Sequence, residues 1–485
     1  MKMEKYLQRI QVKGGIISPG ELQKVIAKAE SIGLDALHFG SRQDILFPRL
    51  NEKEDITQDH ENFDLSMFVS PEEQNIMSSY MAIDIFPSTP WLRGTTYLYI
   101  LEEFKRSHHL KINIVDPKQQ MVPLYYGELN FIASKHEDYW YLYTKLPGYE
   151  QEYYPVLVYT WDIAHLCELI EDNYQSVKSI QALFELINKS TSLNYKVIQN
   201  KLSVDFTPFP YYEGMNKMFD NSYWLGLYWR NNRYDTSFLK ALCKFCLDHR
   251  VGKICLTPWK SFIVKGINRE YKLALEKLLG QYGINVRHSA LELNWHLPVD
   301  DQKALDLKKN LVLNFDQNDI STYGLTFGIS NNTNRSSYFT SIVIESNPTP
   351  IIENSNFVIR PTFNVVFAKN FNPNTRTYVV YAQDVDKIDL PNLLMELIKN
   401  YFKELGNQKE EVIKPGSLKL EDEKVILEVH QCPHCQTIYD PSIGDAAAGI
   451  EPGTFFEDLP KDYTCSVCDS DIADFVTTEM EFIEK

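Results

Sequence analysis

The sequence predicts an α/β (α+β) protein with a large duplicated body and a small C-terminal domain built around cysteines. Three observations carry this. A helix–strand–turn–strand pattern near the start returns after a long interval. Strand-like and helix-like apolar patterns alternate through the rest of the body. Four of the eight cysteines fall in two C-x-x-C pairs in the last stretch.

The first copy opens at Ser18-Pro19-Gly20-Glu21. Ser18 can cap a helix, Pro19 suits its first position and Glu21 can reach back to close a capping box. Leu22, Val25, Ile26 and Ala29 then recur at helical spacing, and Gly33 ends the run. A strand-like ALHFG follows, then Ser41-Arg42-Gln43 and the apolar Ile45-Leu46-Phe47. The second copy starts at Asp235, with Leu239, Leu242, Cys243, Cys246 and Leu247 on one face. It continues through Ile254-Cys255-Leu256, Thr257-Pro258-Trp259-Lys260 and Phe262-Ile263-Val264. Aligned without gaps, Leu22 falls on Leu239, Leu37 on Ile254 and Ile45 on Phe262, which implies two related half-domains.

Between and after the copies the pattern is weaker. Lys111–Val115 reads as a central strand, and Val156–Tyr159 followed by Asp162–Asp172 as strand and helix. Leu311-Val312-Leu313, Thr362–Ala368 and Tyr378–Leu405 would be their duplicated counterparts. The aromatic run Tyr139–Tyr143 reads as a half-buried strand, and His108-His109 as surface residues. After Leu405 the charged stretch GNQKEEVIKPGSLKLEDEK, broken by Pro415-Gly416, reads as a linker. The expected organisation is a body over 1–405, a linker over 406–425 and a small domain over 426–485.

In the small domain Cys432, Cys435, Cys465 and Cys468 can place four thiolates around one ion, a geometry that suits zinc or a single iron. The span between the pairs is longer than the roughly 15–20 residues usual for zinc sites of this kind. It is rich in turns, at Asp440-Pro441, Gly444-Asp445 and Pro452-Gly453. Tyr439, Phe455, Phe456, Tyr463 and Phe475 thread aromatic rings through and just beyond it. YDP, the GD–GI–PGT series, FEDLP and the spacing to the second pair resemble rubredoxin throughout Cys432–Phe475. The resemblance implies one iron held as Fe(Cys)4 that carries single electrons. It also marks departures: Gln436 and Asp469 stand where the family favours glycine, Tyr463 where it favours tryptophan and Ser466 where it favours proline.

GGIISPGELQKVIAKAESIGLDALHFGSRQDILF and VGKICLTPWKSFIVKGI are similar to the two ferredoxin-like half-domains of the nitrite/sulfite reductase family, near 5–50 and 223–286. That resemblance implies a pseudo-two-fold body that could hold siroheme. By motif position Arg42 matches the family's functional arginine and Lys260 its counterpart in the second half, so both are candidate cofactor-binding residues. Neither C-x5-C nor C-x3-C occurs, and no [4Fe–4S] cluster is expected. Cys243 and Cys246 lie on the apolar stripe of a helix. With Cys167 and Cys255 they read as core.

A net charge of −16 disfavours nucleic-acid binding. From Cys432 onward twelve acidic residues face only Lys461 and Lys485, a composition suited to docking a basic redox partner. No secretory signal, membrane span, phosphate loop or dinucleotide fingerprint is visible, so the expected compartment is the cytoplasm and the expected electron source another protein. The function these features predict is an electron carrier for nitrite, nitrate or sulfite assimilation, its reductase-like body serving as a docking scaffold. The alternatives are a siroheme reductase fed by the tethered iron, and a zinc-stapled interaction protein.

Overall fold

Ser18 and Glu21 form the expected capping box: the Ser18 hydroxyl accepts from the Glu21 N–H, and the Glu21 carboxylate accepts from the Ser18 N–H. Such a cap is worth about 1 kcal/mol. The helix runs Pro19–Ser31 and ends before Gly33, whose φ of 80° suits glycine. The structure, a computed structural model, describes residues 7–48, 68–69, 76–218, 220, 222–299, 301–331, 333–347, 361–407, 424–441 and 443–483.

The strands Leu7–Ile10, Ala36–Phe39 and Ile45–Pro48 complete the first half-domain. Tyr223–Leu227, the helix Thr236–Asp248, Lys253–Leu256 and Phe262–Ile267 make the second. Asp235 sits at the cap position of that helix without a capping side-chain bond. The halves exchange a short strand. Ile16–Ile17 pairs with Ile254 and Cys255 of the second sheet, while Tyr234–Asp235 pairs with Leu37 and Ala36 of the first. The two helices share one core, in which Leu22, Val25, Ile26 and Ala29 join Leu239, Leu242, Cys243 and Cys246.

The rest of the body is also duplicated. Ile76–Ser78, Ile112–Val115 and Leu129–Ala133 run parallel, followed by antiparallel Tyr139–Thr144 and Val156–Tyr159 and the helix Ile163–Asn173. Trp295–His296, Phe327–Ser330 and Ile342–Ser346 repeat this with antiparallel Thr362–Ala368 and Tyr378–Asp386 and the helix Leu390–Asn407. Leu311-Val312-Leu313 is not the counterpart of the strand at 112–115. It lies in the helix Gln302–Gln317, where Ala304, Leu307, Leu311 and Phe315 are buried at helical spacing. The counterpart is Phe327–Ser330. His108 is buried rather than exposed, its Nδ1 2.8 Å from the Glu171 carboxylate.

The last body helix continues to Asn407, and the first strand of the small domain begins at Lys424. Most of the expected linker, 408–423, lies outside the described residues. Among the described residues no helix is long and apolar enough to cross a membrane.

Candidate metal centre

In the small domain Lys424–Gln431 pairs antiparallel with Val476–Ile483, and Ile438–Tyr439 pairs with the end of the former. Tyr439, Ile450, Leu459 and Tyr463 are its buried core, with Phe456 and Phe475 packed against them. So small a core needs a staple. Tyr463, in the tryptophan position, donates its hydroxyl to Asp445 Oδ2 at 2.9 Å.

Each C-x-x-C pair forms a turn, and the two turns repeat each other bond for bond. Cys432 N donates to Thr437 O and Gln436 N to Cys432 O, both at 2.8 Å. Cys465 N donates to Ser470 O and Asp469 N to Cys465 O, again at 2.8 Å. Gln436 and Asp469 close the turns in left-handed backbone, at φ of 63° and 60°. The glycine preference thus has a conformational cause, and this chain accepts two side chains there at a cost of about 1 kcal/mol each.

The turns bring four sulfurs within 4.8 Å of one another. Cys432 Sγ is 3.5 Å from Cys468 Sγ, and Cys435 Sγ is 3.4 Å from Cys465 Sγ. A metal–sulfur bond of about 2.3 Å implies tetrahedral edges of about 3.8 Å, so small outward movements admit one ion. Burial pushes the Cys432 thiol up, but the N–H groups of Cys435 and His434 outweigh it and leave the thiol below its ordinary value. Thr437 lowers the Cys435 thiol to about 6. Burial raises Cys465 to about 12 against the N–H groups of Val467 and Cys468. Thr437 and Ser470, with hydroxyls 3.2 and 3.0 Å from Cys435 and Cys468 sulfurs, went unnoticed in the sequence. Their place two residues past each pair was the available signal.

The other cysteines do not join this site. Cys243 and Cys246 lie between the half-domain helices, and burial raises both thiols to about 12. Cys255 belongs to a different core cluster, and Cys167 to a third. His249 stacks on Tyr271 at 4.0 Å.

Arg42 and Lys260 are not brought together in one open site. Arg42 is 3 % exposed, and its guanidinium donates to Ile112 O at 2.9 Å and to the Asn113 side chain. Lys260 is 7 % exposed beside a cavity of about 30 Å³ bordered by Trp229, Trp295 and Lys308. The turn at 40–44 superposes in hydrogen bonding on that at 257–261, which makes Gln43 the equivalent of Lys260 and Trp259 that of Arg42. Gln43 and Lys260 accordingly share left-handed φ, 60° and 56°.

Among the described residues, Arg42 and Lys260 do not present an open site for a tetrapyrrole. Lys145 donates to Tyr125 O and Ser336 O, Arg376 to Tyr338 O and Ser336 O, and Lys265 to Ile83 O, so these three cations are engaged by backbone carbonyls. Burial, helped by Arg376, lowers Lys145 to about 7. One pocket beside Trp259, Phe339 and Arg376 is about 60 Å³, against several hundred for a cofactor. An open cleft of about 690 Å³ along Met215, Leu225, Lys272 and Leu279 involves neither Arg42 nor Lys260.

Fold and site together define a two-part protein, a four-cysteine metal domain joined to a duplicated α/β body. The sequence model of the rubredoxin family matches residues 429–475. This part is 40% identical over 53 residues to Rubredoxin 4 of Rhodococcus sp. (strain Q15), covering 11% of this chain and 88% of that protein. It is 54% identical over 39 residues to High molecular weight rubredoxin of Moorella thermoacetica, covering 8% of this chain and 17% of that protein. The chain therefore spans about a sixth of the latter. Through its C-terminal segment the chain belongs to the rubredoxin family. The NirA protein of Mycobacterium tuberculosis shares the fold over most of the chain, with a TM-score of 0.63 at 14% identity, covering 82% of this chain and 81% of that one.

Proposed function

We propose that the chain is a one-electron carrier whose iron is held by Cys432, Cys435, Cys465 and Cys468, and that it serves nitrite, nitrate or sulfite assimilation. The observation that carries this reading is the convergence of four sulfurs from two matched turns inside a rubredoxin segment. Iron bound there supplies a ferric–ferrous couple. The chain's own part is to hold the sulfurs and tune the couple. Four thiolates around ferric iron carry one net negative charge, and around ferrous iron two. The N–H groups of His434, Cys435, Val467 and Cys468 favour the more negative state and raise the potential. The link to assimilation rests on the fold likeness to NirA, and the body acts as scaffold in this reading.

The test is a reductive titration of the iron-loaded chain. One electron per chain should bleach the visible thiolate-to-iron bands, and reoxidation should restore them. A chain whose bands do not respond to reductant contradicts the reading. The same fold likeness favours a second reading, a siroheme-type reductase in which Arg42 and Lys260 meet the cofactor. The engaged cations and the small pocket beside Trp259 weigh against it.

A further inference from the structure

The second turn of the metal domain touches the body at the residue that departs from the glycine pattern. Tyr223 donates its hydroxyl to Asp469 Oδ2 at 3.0 Å. Lys272 Nζ lies 3.7 Å from the same carboxylate and 4.7 Å from the centre of the Tyr223 ring, so tyrosine, lysine and aspartate form one unit. Arg269 donates to Asp469 O at 2.9 Å, and Lys217 reaches the Thr464 hydroxyl at 3.4 Å. Three body cations thus meet the turn that carries Cys465 and Cys468. Asp469 is adjacent to one metal ligand and closes the turn of the other.

We propose that Asp469 is a docking residue, which fastens the four-cysteine centre to the second half-domain through Tyr223, Arg269 and Lys272 and so fixes its orientation on the body. This rests on the carrier reading for its purpose, though the contact itself needs no particular metal. A glycine at 469 would ease the left-handed backbone but offer nothing to Tyr223 or Lys272. The body side is suited to the task. Tyr223 is 3 % exposed at the start of its strand, while Arg269 and Lys272 stand at the start of the helix that follows Phe262–Ile267. The contact is small and charged, which suits a tethered partner. A tether provides an effective concentration of about 1 mM, at which a contact with a dissociation constant of about 0.1 mM is about nine-tenths closed. Such a contact weakens as salt screens it, with a screening length of about 3 Å at 1 M. Asp469 acts by position; the electron passes through the metal and its sulfurs.

The test is small-angle X-ray scattering of the metal-loaded full chain, with metal content and visible spectrum read on the same samples. The wild-type chain should be compact at low salt and open at about 1 M salt. Lys272→Glu, a change on the body outside the four metal ligands, should open at low salt and lengthen the maximum dimension beyond that of the wild type. Lys272→Arg should stay closed, and the charge swap Lys272→Glu with Asp469→Lys should close again; a merely structural role for Lys272 would not yield that rescue. Metal content should stay constant across the wild type and the two Lys272 single variants. A wild-type chain already open at low salt, or a Lys272→Glu variant as compact as the wild type, overturns the proposal. Zinc in place of iron would sink the carrier reading and leave the scattering result standing.

Discussion

Cys243-Lys244-Phe245-Cys246 and Cys432-Pro433-His434-Cys435 are the same four-residue motif in two settings. The first lies in the helix Thr236–Asp248, where both thiols face Leu22, Val25 and their neighbours in the shared core. The second is a turn closed by Gln436 in left-handed backbone, with its thiols beside those of a matching turn. Their acidities follow the setting. Burial drives Cys243 and Cys246 up to about 12, Cys246 with help from neighbouring Cys243, whereas hydrogen bonding from Thr437 brings Cys435 down to about 6. A pair of thiols at this spacing becomes a metal site only where the backbone turns and a second pair answers it.

The comparison breaks most sharply at Cys465. Cys465→Ser should bleach the ferric bands and lose most of the iron, read by absorbance and metal analysis. Normal stoichiometry and colour in that variant would sink the ligand assignment. Cys246→Ala should leave iron content unchanged and lower the stability of the body by about 1–2 kcal/mol, read by denaturant unfolding. Loss of a metal equivalent would show that the helix pair binds after all. In the metal-free chain the acidities can be compared directly. At pH 7 a thiol at about 6 is about nine-tenths thiolate, and one at about 12 about one part in 10⁵. Cys435 should therefore be alkylated well ahead of Cys243 and Cys246, and more slowly as pH falls through 6, where it protonates. Thr437→Val should slow the alkylation of Cys435 at pH 7 while leaving it ahead of buried Cys243 and Cys246. The smallest effect belongs to the turn itself. Gln436→Gly should raise the stability of the metal domain by about 0.5–1 kcal/mol, seen as a later thermal loss of the visible bands.

The metal centre was the most legible part of the sequence because its information is local: spacing, turn residues and aromatic positions all fall within one short segment. The duplication was legible for a related reason, since Ser18 and Glu21 announce one helix and the recurrence of Leu22 at Leu239 announces the other. The assignment failed where pattern is short. Leu311-Val312-Leu313 is three apolar residues, and only the wider spacing of Ala304, Leu307 and Phe315 reveals a helix. His108 looked exposed because its partner, Glu171, is distant in sequence. Lys260 was matched to Arg42 by motif, while hydrogen bonding pairs it with Gln43, one residue on. The Asp469 contact lay beyond sequence reasoning. Its departure from glycine was visible, but nothing in the chain order points from it to Tyr223 and Lys272, which come from a different domain.

The most direct test of the account is an optical spectrum of the purified chain with metal analysis on the same sample. The account predicts a red protein with one iron per chain and only tetrathiolate bands, which disappear on reduction. A colourless chain holding zinc, or an intense Soret band from a tetrapyrrole in the body, would contradict it.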